Sequence, residues 1–237
     1  MTIPIVQVDA FAAEPFRGNP ACVCLLNEAK DDEWLQSMAA EMNLSETAFV
    51  WSRGDHFRLR WFTPAAEVEL CGHATLATAH VLWAKGLLNE TDEAVFETLS
   101  GRLAASKQGD LITLNFPARP PVETEPPTGL IESLGIEPLF IGTDGTDYMI
   151  EVANEKTVAG LTPDFQSLAR ISARGIIVTA QSSSGDRDFV SRFFGPAVGI
   201  DEDPVTGSAH SIMAPYWANK LNMTKMTAEQ LLSLIHI

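Results

Sequence analysis

Glu46 stands in the run Asn43-Leu44-Ser45-Glu46-Thr47-Ala48-Phe49-Val50, between the end of a helical pattern and an apolar strand. A carboxylate at such a boundary has two readings. Either it enters a partly dry pocket, where desolvation raises its pKa into the range useful for moving a proton, or it is a solvated strand-end or capping glutamate. Asp203 precedes Pro204 in the acidic loop Asp201-Glu202-Asp203, just before a helical run that starts at Thr206-Gly207-Ser208. It is either a second acid or base facing Glu46 across a domain boundary or simply one of three loop acids. Gly72 and Gly207 each open an apolar, helix-like run, where the first backbone N–H groups can hold an anion and a glycine lets a ligand approach the backbone closely. Two such starts make a clamp for a small carboxylate-bearing molecule. His73, beside Gly72, is a proton carrier, an orienting hydrogen-bond donor or a satisfied buried histidine.

Other chemistries find less support. Cys71, His73, His80 and His210 have no recognised metal-ligand spacing, so no metal is expected. Cys71 suggests a thiol base, but a paired-thiol racemase needs a second cysteine in the other half of the chain and none exists there. Alone, Cys71 reads as a small buried residue. There is no Walker A loop, no nucleotide-binding glycine fingerprint and no Gly-x-Ser-x-Gly elbow, and no cofactor is called for.

The elements that must position these residues are duplicated. Arg60-Trp61-Phe62-Thr63-Pro64-Ala65 returns as Arg192-Phe193-Phe194-Gly195-Pro196-Ala197, 132 positions later. Matching Ile200 to Val68 keeps the same offset. It becomes 135 where Gly72-His73-Ala74 meets Gly207-Ser208-Ala209, which places the extra residues of the second copy in the loop Asp201 to Thr206. A repeat of this length is a domain-sized unit.

Strands are expected over 3–11, 21–26, 47–52, 56–62, 94–99, 102–106 and 111–116, with the turn-rich stretch from Glu14 to Pro20 separating the first two. Helices are expected from an Asp31-Asp32 cap to about Asn43 and from Gly72 to about Lys85, the latter apolar on nearly every side and therefore enclosed. Five prolines between Pro117 and Pro127 break regular structure and make 117–127 a stiff linker. The second half repeats the mixture, with strands at 148–152, 175–180 and 189–194 and a helix from about Thr206 to Lys220. The expected fold is α+β, with domains at 1–116 and 128–237, each a curved mixed or antiparallel sheet wrapped around a central helix. After Lys220 no strand-turn-strand follows to match the first half. The second domain thus reads as incomplete at its end, with the final apolar residues resembling an altered terminus.

Composition narrows the class. At 46% hydrophobic and 20% charged, the chain of 237 residues is that of a soluble globular protein without a membrane span. A net charge of −15 with no basic block argues against nucleic acid as a partner. Three cysteines, Cys22, Cys24 and Cys71, cannot all pair and suit reduced thiols in the cytoplasm. Residues 1–11 lack a basic region and read as a first strand rather than a signal peptide.

With these motifs in place, the chain resembles the PhzF-like (phenazine biosynthesis-like) isomerases, related in fold to diaminopimelate epimerase. The resemblance rests on Phe16-Arg17-Gly18-Asn19-Pro20, on Asn43 to Phe49, on Trp61-Phe62-Thr63-Pro64 through Glu67 to Thr75, and on Glu202 to His210. It implies two pseudo-symmetric domains, an active site in the cleft between them and a homodimer. It assigns the principal acid/base role to Glu46, lines the substrate pocket with Asp203, His73, Gly72, Gly207 and Ser208, and counts Asn19 among the substrate-binding residues. It further implies that Asp203 and Cys71 lie where epimerase relatives place two catalytic cysteines. The function so implied is a cofactor-independent isomerase that moves a proton between carbons of a small carboxylate-bearing substrate. The alternatives are a Cys71-assisted amino-acid epimerase and a non-catalytic binding or regulatory protein on the same fold. Members of the family continue for several strands beyond the last helix seen here, including an Arg-Gly-Gly segment that this sequence lacks.

Overall fold

The computed structural model describes residues 2–12 and 18–231, so the turn residues Glu14 to Arg17 and the apolar end from Leu232 lie outside the described residues. The chain divides into two compact units, 1–116 and 117–237.

The first unit runs β1 (Ile5–Ala10), β2 (Asn19–Leu25), α1 (Asp32–Met42), β3 (Glu46–Ser52), β4 (Phe57–Phe62), β5 (Glu67–Val68), α2 (Gly72–Ala84), β6 (Ala94–Thr98), β7 (Gly101–Gln108) and β8 (Leu111–Asn115). Its sheet has the order β1-β2-β3-β4-β6-β7-β8, with β5 added to β4. The pairs β2–β3 and β4–β6 are parallel and the rest antiparallel.

Alternation in the strands sorts side chains to two faces. Ala48, Val50, Leu59 and Trp61 pack with Ala74, Ala77, Val81 and Leu82 of α2. Phe49, Trp51, Cys22 and Cys24 pack with Leu35 and Ala39 of α1. Helix α2 is enclosed because its small and apolar residues cover every side; of its thirteen residues ten are buried. Each large side chain fully buried in this way contributes about 1.5–3 kcal/mol. The Asp31 side chain caps α1 by accepting from the Trp34 N–H at 2.8 Å. Asn43 then ends the helix in the left-handed region (φ 51°), which turns the chain directly into β3 and delivers Glu46 as its first residue.

The second unit runs β9 (Val122–Glu123), α3 (Leu130–Leu134), β10 (Pro138–Thr143), β11 (Asp147–Val152), α4 (Glu155–Ala159), α5 (Phe165–Leu168), β12 (Gly175–Gln181), β13 (Phe189–Gly195), β14 (Ile200–Asp203), α6 (Gly207–Leu221) and β15 (Ala228–Gln230). Its sheet order is β14-β13-β12-β11-β10-β9, with β15 parallel to β13. One face carries Ile212, Met213 and Trp217 of α6, the other the short helices α3 to α5.

Two expectations change here. The proline-rich stretch is not free of regular structure, since Val122 and Glu123 pair with β10. It is also docked. Pro215 inside α6 has no N–H for the Ser211 carbonyl, and the Arg119 N–H fills that place at 2.8 Å. The stretch after Lys220 does contain a strand, β15, whose Leu231 N–H continues onto the Ser191 carbonyl at 2.7 Å.

The repeat is real at the level of topology, with β2-β3-β4-β5-α2 matched by β11-β12-β13-β14-α6, but its register differs from the sequence expectation. Trp61 pairs with Val68, while Phe193 pairs with Asp203. Val68 therefore matches Asp203 rather than Ile200, and Glu67 matches Glu202. Arg60 forks onto Glu67 at 2.6 and 2.7 Å, and Arg192 onto Glu202 at 2.6 and 2.8 Å. The offset has reached 135 by this pair, so the extra residues sit before Glu202, around the 3₁₀ turn Pro196–Val198 and Gly199. Cys71 then matches Thr206, each the N-cap residue of its helix.

Candidate active site

In the first unit, five side chains converge at the start of α2: Asn19 from β2, Ser45 and Glu46 from the entrance of β3, and Cys71 and His73 from the helix itself. His73 Nε2 lies 3.3 Å from Glu46 Oε2 and 3.4 Å from Ser45 Oγ. On the other side of the ring, Nδ1 lies 3.3 Å from Asn19 Nδ2 and 3.5 Å from Cys71 Sγ. The Ser45 hydroxyl donates to Asn19 Oδ1 at 3.3 Å. The Glu46 side chain is 14% exposed and that of His73 is 4% exposed, so Glu46 is the partly dry carboxylate of the two sequence readings, not the solvated one. Burial pushes the His73 imidazole down to about 4, which keeps the ring neutral beside Glu46.

The start of α2 has no capping side chain and no acidic residue in its first turn. Its uncapped N–H groups and the positive end of the helix dipole therefore remain available to an anion. Ligand atoms of Glu46, Cys71 and His73 lie within 4.8 Å of one another, the only such group of three among the described residues. Glu46 faces Nε2 and Cys71 faces Nδ1, so no single ion can take all three through one ring nitrogen. His80 is exposed, and His210 Nδ1 lies 3.0 Å from the Thr206 carbonyl; neither belongs to the cluster.

In the second unit, Asp203 is 6% exposed and accepts from the Thr206 hydroxyl at 2.5 Å. Gln230 accepts from the Thr206 N–H at 2.8 Å and donates to the Asp203 carbonyl at 2.7 Å, so β15 braces the entrance of α6. Gly207 and Ser208 open that helix, again without a capping side chain. Arg174 donates to Ser208 Oγ at 3.1 Å and forks onto the fully buried Asp147, through Nε at 2.8 Å and through Nη2.

Matched by strand register, Arg174 occupies the place of Ser45 and Ser208 that of His73, so the two helix entrances share a layout and differ in chemistry. Sequence reasoning missed Ser45, Asp147, Arg174 and Gln230. Ser45 adjoins Glu46 in its motif, and Arg174 precedes Gly175, where a Cβ would come within 2.1 Å of the Phe193 ring; those were the available signals.

Residues 8–234 match the family profile described as phenazine biosynthesis-like protein, PhzC-PhzF. The chain belongs to this family. An uncharacterized isomerase of Halalkalibacterium halodurans is 52% identical over 231 residues, covering 97% of this chain and 87% of the relative. The crystal structure of a PhzF-family phenazine biosynthesis protein from Enterococcus faecalis superimposes with a TM-score of 0.85 at 43% identity, over 96% of this chain and 86% of that one. A predicted epimerase from Pseudomonas aeruginosa shares the fold with a TM-score of 0.70 at 20% identity, over 94% and 83% of the respective chains. The PhzC-PhzF match spans both units and includes all the residues placed above. Among the described residues, no helix is long and apolar enough to cross a membrane.

Proposed function

We propose that this protein is a cofactor-independent isomerase in which Glu46 removes a proton from an activated carbon of a small carboxylate-bearing substrate and returns it to another carbon. The observation that carries the reading is the Glu46 carboxylate held in a nearly dry site, 3.3 Å from a neutral imidazole, at the uncapped start of α2. The relative from Halalkalibacterium halodurans, named an isomerase, supports the same class. As the proton leaves the carbon, the electron pair it held moves into the adjoining unsaturated or carboxylate group. When the proton is delivered elsewhere the pair returns to form the new C–H bond, so nothing is oxidised or reduced. In this reading the N–H groups at Gly72 are the donors for the substrate carboxylate, while His73 orients or protonates its polar substituent.

The test is deuterium incorporation from heavy water into a panel of small amino and hydroxy acids. Glu46→Gln should abolish incorporation with the thermal unfolding temperature unchanged. Exchange at the wild-type rate in that variant would sink the assignment.

A further inference from the structure

We propose that Cys71 and His73 form a chelating site for a thiophilic divalent cation, Zn²⁺ or Cd²⁺, with Glu46 beside it as a balancing charge, and that the bound ion inhibits the protein. The binding half stands on geometry. The inhibition rests on the reading of Glu46 as the base and adds a means of regulating it.

A tetrahedral Zn²⁺ with a sulfur ligand at about 2.3 Å and an imidazole nitrogen at about 2.0–2.1 Å holds those two atoms about 3.5 Å apart. Cys71 Sγ and His73 Nδ1 lie 3.5 Å apart. The pair thus already has the separation that the ion requires. Two positions along the chain is no recognised ligand spacing, and it is the helix entrance that brings the two atoms together: Cys71 is the N-cap residue of α2 and His73 the second residue of the helix. A dication in a nearly dry place needs negative charge around it. The thiolate supplies one charge, since the Cys71 proton leaves to solvent as the S–metal bond forms, and the positive end of α2 favours that ionisation. Glu46 supplies the other. Its Oε2 lies 3.3 Å from Nε2 on the far side of the ring, and ligand atoms of the three residues lie within 4.8 Å of one another. Coulomb attraction acts over that distance without a hydrogen bond. A carboxylate behind a ligating imidazole is a recurrent outer partner of bound metals, worth roughly 10–100-fold in affinity. Sulfur and imidazole together favour zinc-like cations over Mg²⁺ and Ca²⁺, which take oxygen ligands. The other thiols, Cys22 and Cys24, belong to the apolar core against α1 and to no such group among the described residues. With the ion in place Glu46 faces a positive centre across the ring, which lowers its basicity and takes the base from the substrate carbon.

The experiment is titration of the tag-free full-length protein, stripped of metal and kept reduced, with Co²⁺ and then with Zn²⁺. The expected result is a sulfur-to-cobalt charge-transfer absorption that saturates at a single ion per chain, is bleached by Zn²⁺ and is untouched by a large excess of Mg²⁺ or Ca²⁺. Cys71→Ser, or Cys71→Ala where the first does not fold, should remove the band. His73→Gln should weaken binding at least ~10-fold and Glu46→Gln roughly 10–100-fold. Cys22→Ala and His80→Gln should leave the titration unchanged. Absence of the band, or a band that survives loss of Cys71, would overturn the proposal. So would an affinity unmoved by His73→Gln or, where that variant does not fold, by Glu46→Gln. Zn²⁺ should also abolish deuterium exchange by the wild type, with half-inhibition at the Kd found by titration; undiminished exchange at saturating zinc would overturn the inhibition. Binding is read without a substrate, so the two readings fail separately: a metal-free protein that exchanges nothing retires Glu46 as the base, and the cation site is still decided by the cobalt band.

Discussion

Arg192 and Glu202 form a forked ion pair with side chains 2% and 0% exposed, whereas the matched pair Arg60 and Glu67 is 15% and 22% exposed. The same chemistry at the same place in the repeat thus sits in two dielectric environments. Arg192 uses its remaining donors on the carbonyls of Val158 and Leu161, at 3.3 and 2.8 Å, which ties β13 to the end of α4. Arg60 instead reaches the exposed Asp32 at 2.7 Å.

Arg192→Met should therefore cost roughly 3–5 kcal/mol, because it takes the forked cationic donor from a buried carboxylate and the donors from two carbonyls. Arg60→Met should cost about 1 kcal/mol, water having access to the partners it leaves. Urea unfolding of the two variants measures both, and equal losses would show that burial does not set the cost.

Histidine protonation predicts the acid sensitivity of the protein. The His73 pKa falls from its ordinary 6.5 to about 4 on folding. Between those values the unfolded chain binds the proton and the folded one does not. Stability is thus complete above about pH 6.5, is lost as pH falls toward about 4 and levels off below, with a total near 3 kcal/mol. His210 is lowered by burial as well and adds a loss of the same sign. His73→Gln should flatten this part of the stability curve, as measured by denaturant unfolding at stepped pH; an unaltered slope would refute the assignment to His73.

The thiol-base alternative makes an opposite forecast from Glu46 catalysis. Cys71 is 4% exposed and its Sγ lies 3.5 Å from His73 Nδ1. Cys71→Ser should keep deuterium exchange within a few-fold of wild type, while Glu46→Gln loses at least ~100-fold, the usual weight of a positioned acid or base. The reverse pattern of rates would transfer the base role to the thiol.

Gly175 starts β12 beneath the Phe193 ring, and a Cβ there would lie 2.1 Å from the ring edge. Gly175→Ala should destabilise by about 1–3 kcal/mol through overpacking. It should also loosen the neighbouring Arg174, whose guanidinium carbon lies 5.8 Å from the centre of the same ring. Combining it with Phe193→Leu should recover part of the loss in thermal unfolding; a strictly additive double variant would contradict the steric cause.

What the sequence determined by itself is what near neighbours encode. The Asp31 cap, the enclosed helix after Gly72 and the alternation of β4 are each set within a few residues, because caps and periodicities depend on local backbone geometry, and the repeat is visible because each of its copies is such a local pattern. The motif around Glu46 and the glycine-led helix starts were legible for the same reason, and so was the family they belong to.

Tertiary structure decided the relationships that cross the chain. Asn19 meets His73 across 54 positions, and Arg174 meets Ser208 across 34. Gln230 reaches Thr206 only because β15 lies parallel to β13. The matching of Asp203 to Val68 follows from strand register, whereas similarity of sequence had placed the match three residues away, at Ile200. Register is set by pairing and by which face is buried, and a shift of one residue would turn every side chain to the other face. Even the neutral state of His73 belongs to this second class, since its ordinary pKa is a property of the residue and its lowered one a property of the place where folding put it.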